Sequence, residues 1–106
     1  MIKHYREHAA LLAAIDEVAA YEPVVREAWL ADQDRFIDRT ADLLVEEQEA
    51  GRTQSTIDAV RAATMIVRSG AQIAALHVAT SDAADDAVVA RELACEHWYG
   101  VYRRPS

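Results

Sequence analysis

The stretch AATMIVRSGAQIAALHVA (residues 62–79) carries one charged side chain, Arg68, and is apolar or small on both faces. A helix that is hydrophobic almost all round has to be covered on most of its sides. Ser69 and Gly70 are small enough to let another helix cross it closely. Just upstream, Ser55 reads as an N-cap, with Asp58 three positions on in a near capping-box arrangement. The helix to which this stretch belongs is therefore expected over about residues 56–79.

Working outward, punctuation divides the rest of the chain into helices. Gly51 stands where a glycine commonly ends a helix, and Pro23 suits the first turn of one, which marks a long helix over residues 23–49. Its stripe is Val25, Trp29, Phe36, Thr40, Leu43 and Leu44, with Gln33 on the same face. Before it, Ile2, Tyr5, Ala9, Leu12, Ile15 and Val18 recur in steps of three and four, the mark of an amphipathic helix over residues 2–20. After residue 79, Thr80-Ser-Asp82 breaks the pattern again. Asp82, Asp85 and Asp86 crowd the start of a fourth helix, residues 83–102, where the dipole favours negative charge. Four helices in an antiparallel bundle, one all-α domain over residues 1–106, is the expectation.

Composition supports that reading and narrows the function. The chain has 106 residues, 52% of them hydrophobic, with 3 Gly and 2 Pro, enough for one core and not for two. Its net charge of −7 repels a phosphate backbone, which argues against direct nucleic-acid binding. The one adjacent basic pair, Arg103 and Arg104, falls where a last helix would end and favour cations. The lone Cys95 cannot form an internal disulfide, which fits a cytoplasmic protein. The apolar run 9–15 is closed at once by Asp16 and Glu17, so it reads as a helix face rather than a signal peptide. No run approaches the length of a membrane span.

A chain this small leaves the outer faces of its last two helices uncovered unless something packs on them. Trp98, Tyr99, Val101 and Tyr102 surround much of the last helix near its end. A two-fold homodimer built on the last two helices accounts for both. Its candidate contact residues are Gly70, Ala74, His77, Val89, Leu93, His97, Trp98 and Val101. The first two helices differ, because polar groups interrupt their stripes: Gln33 and Thr40 beside Trp29 and Phe36, and Tyr5. Apolar and aromatic walls with a few polar groups suit a ligand pocket. A core whose polar groups satisfy one another would read the same way.

The phrases Tyr5-Arg-Glu-His-Ala-Ala-Leu-Leu-Ala-Ala-Ile-Asp-Glu17 and Tyr21-Glu-Pro-Val-Val-Arg-Glu-Ala-Trp29 resemble TetR-family transcriptional regulators of the ethionamide-resistance-repressor subgroup. So do residues 36–51, with their Glu-Glu-Gln-Glu-Ala-Gly ending, and Glu92-Leu-Ala-Cys-Glu-His-Trp-Tyr-Gly-Val-Tyr102. The resemblance is one of layout and short phrases and covers nearly the whole chain. It implies a helical effector domain, dimerising through its last two helices as an intermolecular four-helix bundle, with a pocket for a small hydrophobic effector. By position, the resemblance nominates Trp29, Gln33, Phe36, Ile37 and Thr40, with Thr64, Val67, Arg68 and Ala71, to line that pocket. Family members begin with a helix-turn-helix DNA-reading unit, for which these residues have no room. Partnership with a full-length regulator as a heterodimer is an alternative to the homodimer.

Other chemistry finds little footing. His4 and His8 are spaced to share a metal, but two ligands do not close a site. Cys95, Glu96 and His97 point in different directions on a helix, so Cys95 is expected to pack as a small hydrophobe. His77 reads as a core or interface histidine. The cluster Glu46, Glu47 and Glu49 reads as a solvated helix end. No Glu-x-x-His phrase, phosphate-binding glycine loop or nucleophile elbow occurs, and Arg68 with His77 is the one pair an enzyme could use. The expectation is a non-enzyme without metal or cofactor. Its rival is a helical protein–protein interaction module without a pocket.

Overall fold

The computed structural model describes residues 2–102 and is helical throughout its regular elements: α1 (Ile2–Glu7), α2 (Ala9–Ala19), α3 (Pro23–Glu49), α4 (Ala59–Thr80), a 3₁₀ turn (Ala83–Asp85) and α5 (Asp86–Tyr102). Arg103 and Arg104 lie outside the described residues. The fold is the all-α one that the helical periodicity implies.

The longest helix, α3, begins with Pro23 in its first turn, where the missing N–H costs nothing. It ends in a Schellman turn: Arg52 N donates to Glu47 O (2.9 Å) and Gly51 N to Gln48 O (3.1 Å). Gly51 takes the left-handed φ of 74° that this turn demands. The Gln48 side-chain amide then donates to the carbonyls of Gln54 (3.0 Å) and Ile57 (2.7 Å).

The start of α4 departs from the expected one. Ser55 is not its cap; Asp58 is, accepting from Arg61 N at 3.1 Å. The Ile57 carbonyl accepts from Gln48, and the helical ladder starts three residues after Ser55, with Ala62 N donating to Asp58 O at 2.9 Å. Two further boundaries shift. The expected first helix is broken at His8, which leaves the helical region at φ −114°, ψ 25°. The break lets α1 lie against α4 and α5 while α2 packs on α3 and α4. The last helix is preceded by the 3₁₀ turn, capped by Asp82, which accepts from Ala84 N at 3.1 Å.

The most extensive packing is between α3 and α4. One cluster at their seam joins Ile37, Ala41 and Leu44 to Ala63 and to Val101 of α5. A second joins Ile2, Ala74 and Leu93, with Tyr5 and Val89 against it. Among the described residues, Ala63 and Ala74 have no exposure, and no larger side chain is fully buried. The chain is flat, 42 × 34 × 18 Å, with a radius of gyration of 15.3 Å, against about 13 Å for a compact domain of this length. Thinness leaves apolar residues uncovered: Met65 and Leu76 of α4 are 70% and 63% exposed, and Trp98 of α5 is 48% exposed. Cys95 is exposed rather than packed, because the inward residues of α5 are Val89, Leu93 and Val101, and Cys95 lies two positions past that stripe. Among the described residues, no helix is long and apolar enough to cross a membrane.

Candidate functional site

The stripe Tyr5, Ala9, Leu12 and Asp16 forms one wall of a cleft of about 210 Å³. Trp29 of α3 and Gln72, Ala75, Leu76 and Ala79 of α4 form the others. Gln72, Ala75, Leu76 and Ala79 recur in steps of three and four and so share one face of α4, and Val78 of the same helix also lines the cleft. Tyr5, Ala9 and Leu12 of the periodic stripe thus serve as a cavity wall, with α1 and α2, on either side of the kink at His8, both lying against α4. Burial pushes the Tyr5 phenol pKa up, and the negative charge of Asp16 adds to that shift.

Of the nominated pocket residues, Trp29 lines this cleft. Gln33 and Arg68 meet each other instead: Arg68 Nη1 donates to Gln33 Oε1 (3.0 Å) and Nη2 to Asp34 Oδ1 (3.0 Å). Ile37 is core, and Val67 packs against the same cluster. Thr64 donates back to the Val60 carbonyl at 2.7 Å. Thr40 and Ala71 are half-buried. Phe36 is 58% exposed, with the Arg39 guanidinium 5.8 Å from its ring centre. Arg68 and His77 have separate partners, so the pair an enzyme could use is not assembled.

The residues nominated for an interface divide in two. Gly70, Ala74, His77, Leu93 and Val101 are buried within the chain, and Val89 packs against Ile2, Ala74 and Leu93. His97 is half-buried, and Trp98 packs on Tyr102 with ring centres 4.3 Å apart. Beside them a groove of about 610 Å³ runs between α4 and α5, lined by Met65, Ile66, Ser69 and Ile73 on one side and Leu93, His97 and Gly100 on the other.

Sequence reasoning missed the strongest polar node. Asp86 receives Arg6 Nε on Oδ2 (3.1 Å) and Arg6 Nη2 on Oδ1 (2.8 Å), and His77 Nε2 sits 2.7 Å from Oδ1. Arg6 also donates to the carbonyls of Val78 and Ser81, which lie in the last turn and at the end of α4. The Arg6 hydrogen bonds, with His77 and the attendant charges, hold the Asp86 pKa down at about 2. Locally, Asp86 reads only as a helix-start acid; nothing near it in sequence points to Arg6. The neighbouring histidines His4 and His8 lie with ring centres 4.8 Å apart and planes tilted by 55°. Among the described residues, no group of three His, Cys, Asp or Glu side chains is arranged to hold a metal.

Against this geometry stands one family-level match. The model described as transcriptional regulator EthR, C-terminal domain, matches residues 1–95. No curated protein and no solved structure matches the chain.

Proposed function

The chain belongs to the family of the C-terminal domain of the transcriptional regulator EthR, and on that premise we propose that it senses a small, largely apolar molecule and pairs with a second copy of itself. It is an effector domain of the TetR type. The observation that carries the sensing reading is the cleft in which Tyr5, Trp29 and the small residues of α4 face one another, an apolar and aromatic enclosure with few polar groups. Pairing is supported by the exposed apolar side chains of α4 and α5, which an intermolecular four-helix bundle would cover. Ligand binding would favour one arrangement of the protomers, and any DNA response would be relayed through an attached or partner domain. In this reading residues 1–106 act as one domain, in the cytoplasm, with no catalytic role.

A second reading is favoured by the modest size of the cleft, since drug-sized pockets run to roughly 300–1,000 Å³. The chain would then be an interaction module that pairs with a full-length regulator and holds no effector. Native mass spectrometry of the protein purified from its expression host separates the two. A dimer carrying an extra small-molecule mass supports effector sensing. A ligand-free monomer removes both sensing and self-pairing.

A further inference from the structure

We infer that the ligand of this cleft carries a positively charged head, an amine or quaternary ammonium, which the Asp16 carboxylate holds beside the rings of Tyr5 and Trp29. The inference rests on the effector-domain reading and specifies its ligand.

Asp16 is the one charged side chain among the residues that line the cleft. It forms no ion pair among the described residues, whose pairs all lie elsewhere. It shares one face of α2 with the apolar Ala9, Leu12 and Ala13, all of which line the cleft. No lysine or arginine lines the cavity to neutralise it. An anionic head would meet like charge with nothing to offset it. A cation would gain the carboxylate in a cleft whose lining also includes the aromatic side chains of Tyr5 and Trp29. The net charge of −7 acts in the same direction, drawing cations toward the surface. The remaining polar group of the wall, Gln72, is uncharged and accepts through its carbonyl oxygen.

The test titrates the purified chain at low salt with benzyltrimethylammonium, its neutral isostere neopentylbenzene, and phenylacetate, following proton–nitrogen correlation spectra. Asp16 is exposed, so Asp16→Asn keeps the fold, which circular dichroism checks. The expected result is binding of the ammonium compound with shifts at Trp29, weakened about tenfold in Asp16→Asn, and no binding of phenylacetate. Equal binding of the neutral isostere and the ammonium, both indifferent to Asp16→Asn, overturns the charged-head inference and leaves an apolar effector cleft standing. No shift at Trp29 with any of the three compounds overturns the inference and the cleft as a ligand site together.

Discussion

Arg6 and Asp86, 80 positions apart, are joined by two parallel hydrogen bonds of 3.1 and 2.8 Å. This pair ties the first turns of the chain to the start of its last helix. His77 completes the node from the end of α4, so three elements converge on one carboxylate. The forked geometry is one that only a guanidinium provides.

Arg6→Lys should therefore lower the melting temperature almost as much as Arg6→Ala, because an ammonium cannot bridge both carboxylate oxygens while reaching Val78 and Ser81. Thermal unfolding by circular dichroism checks this. If the lysine variant melts with the wild type, the fork is not what holds α1.

Acid sensitivity follows from the same carboxylate. The folded-state pKa of Asp86, about 2, lies below the ordinary aspartate value of about 3.9. Its contribution to stability is complete above the ordinary value and is lost as pH falls toward about 2. Asp86→Asn should be less stable than wild type near neutrality, and the gap should narrow through this acid window. A constant gap from neutral pH to about pH 2 would sink the assignment.

Ile37 and Phe36 are adjacent, yet one is core and the other is open to solvent. Ile37→Ala should cost about 2–5 kcal/mol, while Phe36→Ala should stay within about 0.5 kcal/mol. Urea unfolding of the two variants reads the rotation of α3 directly. The opposite order would mean that α3 presents a different face to α4.

Gly51→Ala should cost roughly 1–2 kcal/mol, since its φ of 74° disfavours any residue with a Cβ. Open space surrounds the site, so the loss comes from the backbone and not from a clash. Gly100→Ala, within α5 and equally open, should instead be neutral or mildly stabilising. Paired chemical denaturation measurements separate the two positions.

Met65→Glu places a charge on the exposed edge of the α4–α5 groove. With Met65 already open to solvent, the fold should be unaffected, and any self-association through this face should be lost. Sedimentation velocity of wild type and variant gives the answer. A dimer that survives the substitution lies on another face.

Much of the architecture could be read from residue order alone. Pro23, Gly51 and the Thr80-Ser-Asp82 break act locally through missing donors, permitted φ angles and side-chain caps, so the bounds of α3 and the break after α4 could be placed without knowing what surrounds them. The family resemblance was legible for the same reason, since its phrases lie along single helices. The kink at His8 and the start of α4 at Ala59 were not legible. The first lies where α1 turns onto α4 and α5 while α2 follows α3 and α4, and the second follows a turn across which the Gln48 amide reaches the Ile57 carbonyl. Helical periodicity tells which side chains share a face, but not whether that face meets a core or a cavity. Tyr5, Ala9 and Leu12 border a cleft, whereas Ile37 and Val67, nominated for a pocket, fill a core. Tertiary structure alone decided these assignments, and it alone brought Arg6 to Asp86, because contacts between helices depend on crossing and rotation that no local spacing encodes.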